Sequence, residues 1–169
     1  MKELGVIMGG AGMSWTMRLG VVGLLVAVAF TGQAYPPAKF QMSKEEKQLL
    51  DLTNQERKKE KLPLLKPSPL LFKIARAHSA NMAKQNKMSH VLDGKNSAQR
   101  VKEGGYRYLS TGENIAFGDL SQEALVKAWM GSKLHRANIL SKKVTEIGLG
   151  IVPDKNGVPY YTQLFAKPY

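Results

Sequence analysis

Apolar and polar residues recur with a helical period early in the chain. Apolar positions spaced three or four residues apart predict two helices. The first begins at Ser43, with Glu46 in the capping-box position, and ends before Pro63. The second runs from Pro67 to about Asn86. Its buried face is predicted to contain Leu71, Ile74, Ala75, His78 and Met82.

The pattern changes in the second half of the chain. Short helices are predicted at Ser97–Glu103 and Ser121–Met130, and a short strand at Gly112–Phe117. Alternating apolar residues predict strands at Ile147–Val152 and Pro159–Phe165, which the Asn156-Gly157 turn joins as a hairpin.

The stretch Ala128–Gly150 connects the last predicted helix to this hairpin. We expect a helix end, then a turn that carries His135 and Arg136, and then a strand. Because helices come first and an antiparallel hairpin comes last, the order of elements predicts an α+β fold built in layers.

The N-terminal segment has the pattern of a secretory signal peptide. Arg18 precedes the apolar run Leu19–Thr31, which is short for a membrane span, and small residues follow at Gly32 and Ala34. We therefore predict a signal peptide at 1–34, a linker at 35–42 and one domain at 43–169. The alternative is an uncleaved N-terminal anchor. Both alternatives place the domain outside the cytoplasm, secreted or associated with the cell envelope.

Composition narrows the function. The chain contains 0 Cys, which excludes a thiol nucleophile and a cysteine-ligated metal. The net charge of +12 comes from lysines spread through every segment, without an aromatic and basic platform for nucleic acid. We expect no nucleic-acid partner. The charge is better explained by solubility or by affinity for an anionic envelope surface.

Two histidines and a glutamate are the candidate site. His90 and His135 follow predicted helices, and Glu113 lies between Gly112 and Asn114. Two imidazoles and a carboxylate suit an open zinc site, although spacing this wide is not diagnostic. Glu113 is then the candidate catalytic group. Asn114 is expected to satisfy loop backbone, as is Asn138.

The remaining polar residues give weaker indications of a function. His78 lies on an apolar helix face, which favours a hydrogen-bonded core histidine. Ser132 and Ser89 lie near histidines, but neither is in a nucleophile elbow. A serine hydrolase is therefore the weaker interpretation.

Several motifs in order resemble one family. MSHVLDG, GENIAFG, AWMGSKLHRANIL, EIGLG and YYTQLF are similar to the bacterial branch of the CAP superfamily. That superfamily, also called the SCP domain, includes cysteine-rich secretory proteins, antigen 5 and plant pathogenesis-related proteins. The resemblance covers about Glu46–Phe165. It implies a three-layer α-β-α sandwich with a central antiparallel sheet and an open cleft.

The resemblance also implies site residues. In eukaryotic members two His and two Glu line the cleft and can hold zinc or another divalent ion. His90, Glu113 and His135 match three of these positions, whereas Ser132 and Lys133 occupy the place of the second glutamate. The loss of a carboxylate and the gain of an ammonium disfavour a cation, unless Lys133 points away.

Three functions follow as hypotheses. The first is a module that binds a small amphipathic or lipid ligand, a cell-wall fragment or a protein in a cleft with His90, Glu113, His135, Ser132 and Asn114. The second is a metal-assisted hydrolase in which Glu113 activates water. The third is a structural domain whose cleft groups only satisfy one another.

Overall fold

The computed structural model describes residues Lys39–Tyr169, which form one compact unit. The predicted signal peptide at 1–34 and residues 35–38 of the predicted linker lie outside the described residues. The described elements are α1 (Lys44–Lys59), β1 (Lys66–Pro67), α2 (Pro69–Gln85), α3 (Ser97–Glu103), β2 (Tyr108–Phe117), α4 (Gln122–Gly131), α5 (Lys133–Ile139), β3 (Glu146–Pro153) and β4 (Pro159–Pro168).

The four strands form one sheet in the order β1-β3-β4-β2. β4 pairs antiparallel with β3 on one side and with β2 on the other. The two-residue β1 adds a parallel pair beside β3, which the sequence did not indicate. β2 is the edge strand on the opposite side of the sheet.

Helices cover both faces of the sheet. α1, α4 and α5 pack on one face, where Leu49, Trp129, Ile139 and Phe165 share a core. α2 and α3 pack on the other face in a second core. The central sheet is therefore sandwiched between helical layers, as the family resemblance implied, and the α+β prediction is confirmed.

Two glycines of the EIGLG motif let α2 lie directly on the sheet. A Cβ at Gly148 would overlap the Leu71 carbonyl, and one at Gly150 would overlap the Ala75 carbonyl. Because side chains two positions apart on a strand point to the same face, glycine at both positions clears one flat strip under the helix. The motif thereby fixes how closely α2 can approach β3.

Strong local signals in the sequence predicted the structure correctly. Ser43 and Glu46 form the predicted capping box of α1, and all five residues predicted on the buried face of α2 are buried. The hairpin turns at Gly157, whose φ is 84°. β2 and β4 are longer than predicted.

The prediction for the stretch before β3 was wrong. His135 and Arg136 lie in a helix, α5, and not in a turn. α5 follows α4 after the single residue Ser132, which ends one helix and begins the next.

The chain entering α1 already belongs to the core. The Phe40 ring packs edge-on against Phe72 at a centroid distance of 5.0 Å, and Met42 also packs on the core. Within residues 39–169, no helix is both long and apolar enough to cross a membrane.

Candidate functional site

A buried carboxylate organises the candidate site. Glu113 lies on β2 and faces the α2 and α3 layer, with only 2% of its side chain exposed. Its Oε1 lies 2.8 Å from Nδ1 of His90, and its Oε2 accepts a hydrogen bond of 2.6 Å from Nη2 of Arg100. Both carboxylate oxygens are therefore occupied by groups of the chain itself.

The surroundings of Glu113 keep it ionised. Burial opposes the charge, but the hydrogen bond from His90 and the Arg100 guanidinium outweigh it, so the pKa of Glu113 lies below its usual value. A carboxylate can only accept, so His90 carries its proton on Nδ1. The Nε2 atom of His90 does not take part in this hydrogen bond, and the side chain is 52% exposed.

Arg100 holds the loop of His90 as well as the carboxylate. Its Nη1 donates to the carbonyls of His90 and Lys95, at 3.0 and 2.8 Å. One guanidinium on α3 thus fixes the backbone and, through Glu113, the ring of His90. Arg100 was not among the residues identified from the sequence, because a lone arginine on a short helix has no distinguishing pattern.

His78 lies beneath this cluster on α2. Its Nε2 is 3.9 Å from Oε1 of Glu113, too long for a hydrogen bond, and neither ring nitrogen has a partner among the described residues. Burial lowers the pKa of His78 to about 4 against the opposing charge of Glu113, and a backbone group of Ser89 also opposes the shift. The predicted core position is confirmed, whereas the ring makes no hydrogen bond of normal geometry within residues 39–169.

The second histidine lies in an apolar cleft along β2. His135 and Ser132 line a cavity of about 360 Å³ whose other walls are almost entirely apolar. Those walls are Met88, Ile115, Ala116, Phe117, Leu120, Leu125, Ala128 and Trp129. Such a cavity falls within the size range of small-molecule sites.

The polar groups of this cleft are available to a ligand. The His135 ring has no hydrogen-bond partner among residues 39–169, and the Ser132 side chain makes no capping bond to α5. Burial, and then the nearby His90, lower the pKa of His135, so its imidazole is neutral at pH 7. It can both donate and accept a hydrogen bond.

Buried amides hold α5 against β2. The side chain of Asn114 is completely buried on the α1, α4 and α5 face, opposite to Glu113, and donates to the His135 carbonyl at 3.1 Å. Asn138 donates to Oδ1 of Asn114 at 2.8 Å and to the Glu113 carbonyl at 3.1 Å. Asn114 therefore positions His135 and does not line the cleft.

A buried arginine holds the other end of α5. Arg57 on α1 donates to the carbonyls of Pro63, Ile139 and Ser141, at 2.8, 2.8 and 2.9 Å. It is 1% exposed and forms no ion pair within the described part of the chain. It satisfies carbonyls at the C-terminal end of α5 that would otherwise be unpaired.

Lys133 lies outside the cleft. It lines a separate groove with Met130, Arg136 and Leu140, whereas its neighbour Ser132 lines the cleft. The cation that meets Glu113 is Arg100, and Lys133 is not among the groups that shift the pKa of His135.

The donor set does not fit a divalent metal. Each oxygen of Glu113 already accepts one hydrogen bond, from His90 or from Arg100, and the guanidinium beside the carboxylate repels a cation. Among residues 39–169, no three His, Asp or Glu side chains are grouped as a metal site. This geometry therefore gives no support to the metal role predicted for His90, His135 and Glu113.

Comparison with known proteins decides the family. The model of the cysteine-rich secretory protein family, CAP, matches residues 50–165. The chain belongs to this family. Its similarity to solved structures supports the same fold: an outer surface protein from Borrelia burgdorferi superposes with a TM-score of 0.72 at 23% identity, covering 78% of this chain and 98% of that one.

Two further relatives are closer in sequence. An extracellular SCP-domain protein from Bacillus anthracis str. Ames is 31% identical, with a TM-score of 0.65 over 73% of this CAP chain and 40% of that one. The uncharacterized protein YkwD of Bacillus subtilis (strain 168) is 42% identical over 112 residues, 66% of this chain and 44% of that protein. The CAP chain thus spans less than half the length of either relative.

Proposed function

We propose that this CAP protein is an extracellular binding module that holds a small amphipathic molecule in the cleft along β2. The observation that supports this most strongly is the composition of the cleft: an apolar wall that ends at the unpartnered imidazole of His135. An apolar body of a ligand would lie on Phe117 and Trp129, and its polar head would meet His135 and Ser132.

His90 would supply a second contact for the head group. Its Nδ1 is held by Glu113, which leaves Nε2 for a hydrogen bond with a ligand hydroxyl. The charge of His90 contributes to the lowered pKa of His135, which supports a single ligand region for both imidazoles. A hydroxyl-rich head group, such as a sugar, suits two imidazoles in one ligand region, because a hydroxyl can both donate and accept a hydrogen bond.

Two observations support an extracellular location. The N-terminal segment has the pattern of a signal peptide, and similar solved structures come from an extracellular protein of Bacillus anthracis and an outer surface protein of Borrelia burgdorferi. We propose the same extracellular location for this chain.

The two alternative functions have less support. A metal-assisted hydrolase needs Glu113 to activate water, but, against the effect of burial, the hydrogen bonds from His90 and Arg100 lower the pKa of Glu113 and make it a weaker base. A purely structural cleft would pair its polar groups with one another, whereas the His135 ring makes no such bond within residues 39–169.

A fluorescence titration tests the proposal. The chain has 2 Trp, so the full-length protein with Trp15→Phe keeps only Trp129, which lines the cleft. Octyl glucoside below its micellar concentration should change its emission saturably. Ala128→Leu, which narrows the cleft, should abolish the change, and Ala124→Leu on the same helix should not.

The histidine variants locate the head group. His135→Ala and His90→Ala should each weaken binding about five- to tenfold, the loss of one hydrogen bond. Absence of a saturable signal in the Trp15→Phe protein would reject a small-molecule cleft and leave a protein or cell-wall partner. Binding that is unchanged in Ala128→Leu would place the ligand elsewhere.

A further inference from the structure

A second groove lies between α2 and α3, and the residues that line it differ from those of the cleft. Its volume is about 410 Å³, again in the range of small-molecule sites. Its walls include Lys73, Ile74, Ala77, His78, Arg100 and Gly104. Neither the sequence motifs nor the proposed function uses this groove.

Small residues keep the groove open. Gly104 ends α3 without a side chain, and a Cβ there would lie 2.5 Å from Cδ1 of Ile74. Ala77 is exposed on α2 and fills little space. The buried ring of His78 adds a flat wall and no charge, because its low pKa keeps it neutral at pH 7. The surface at the base of the groove is mainly apolar.

Not every charged side chain around the groove has an ion-pair partner. Lys95 pairs with Glu103 at 2.6 Å, and Arg100 pairs with Glu113 at 2.6 Å. Lys73 forms no ion pair with any residue of the described range 39–169. One ammonium therefore remains unmatched beside an apolar hollow, and it is complementary to a single negative charge.

We propose that the groove between α2 and α3 is a second binding site, for a small amphipathic carboxylate. Its apolar body lies on Ile74, Ala77 and Gly104, and its carboxylate meets Lys73. The site is independent of the cleft along β2, and the proposed function can fail without affecting it. Its occupant contacts His78, which is 3.9 Å from the carboxylate that orients His90.

The test uses sodium decanoate below its micellar concentration and the NMR spectrum of the full-length protein. Decanoate should shift the signals of Ile74, His78 and Gly104 saturably. Ala77→Trp fills the groove and should abolish these shifts. Ala80→Trp, one turn later on the exposed side of α2, is the matched control and should preserve them. Thermal denaturation should show that both variants remain folded.

The head group is tested separately. Lys73→Gln should weaken the binding of decanoate about five- to tenfold and leave the binding of the neutral analogue decanol unchanged. Shifts confined to Phe117 and Trp129 would show that decanoate uses the cleft and would overturn the proposal. Three other outcomes would also overturn the proposal. They are the absence of a saturable NMR shift at the groove, binding that persists in Ala77→Trp, and an equal loss of affinity for decanol and decanoate in Lys73→Gln.

Discussion

The unpartnered imidazole of His78 predicts a specific loss of stability in mild acid. Burial lowers its pKa to about 4 in the folded protein, whereas the unfolded chain has the ordinary value of 6.5. Between these values the unfolded chain binds a proton at His78 and the folded protein does not. Protonation therefore favours unfolding, and the stability present above pH 6.5 is lost as the pH falls toward 4.

The magnitude follows from the shift. A difference of about 2.5 pKa units corresponds to about 3 kcal/mol once the pH is below both values, and to about 2 kcal/mol at pH 5. This is a large part of the roughly 5–15 kcal/mol that is typical of a small domain. Glu113, Arg100 and His90 surround the ring, and Glu113 titrates below its usual value. Because the pKa of His135 is also lowered, only the comparison with variants at His78 isolates the contribution of His78 at pH 5 and above.

The assay is urea denaturation of the wild type, His78→Leu and His78→Gln at pH 7, 6 and 5. Leucine removes both ring nitrogens, and glutamine keeps a polar group that does not titrate. Between pH 7 and pH 5, the free energy of unfolding of both variants should therefore fall by about 2 kcal/mol less than that of the wild type. If the free energy of unfolding changed with pH in the same way for all three proteins, the lowered pKa of His78 would be refuted, because His78 would then titrate alike in the folded and unfolded states.

Four other substitutions test the contacts described above. Gly150→Ala places a Cβ against the Ala75 carbonyl and should cost about 1–3 kcal/mol of unfolding free energy, measured by urea denaturation. Asn114→Ala should cost a similar amount and broaden the NMR signals of His135, since α5 loses its anchor on β2. Arg57→Met leaves three carbonyls unpaired and should lower stability by about 3 kcal/mol in the same assay. Arg100→Gln frees one oxygen of Glu113 and should raise zinc affinity in calorimetry; equal affinity would mean that Arg100 does not exclude the metal.

Sequence reasoning succeeded where the signal was local. The capping box of α1 needs only Ser43 and Glu46, and the hairpin needs only its Asn156-Gly157 turn, so neighbouring residues specify each feature. The buried face of α2 follows from its own period. These elements were predictable because their stabilising contacts lie within a few positions of one another.

The errors concern structure that depends on distant residues. α5 has only 7 residues and its apolar side chain Leu134 is 78% exposed, so the sequence shows no helical period there. Its ends are held by Asn114 and Arg57, which are distant in sequence. Arg100 was missed for the same reason, because its role depends on a carboxylate 13 residues away on an edge strand.

The position of β4 in the sheet has a consequence for the timing of folding. Among the strands of residues 39–169, β4 comes last in chain order, yet it lies between β3 and β2 and pairs with both. Until Pro159–Pro168 has left the ribosome, β2 has no neighbour and the sheet cannot close. The complete sheet therefore cannot form before β4 has been made, because β2 and β3 pair with β4 and not with each other. Any step that requires the domain to be unfolded, such as passage through a narrow channel, is compatible with the chain as long as β4 is still missing.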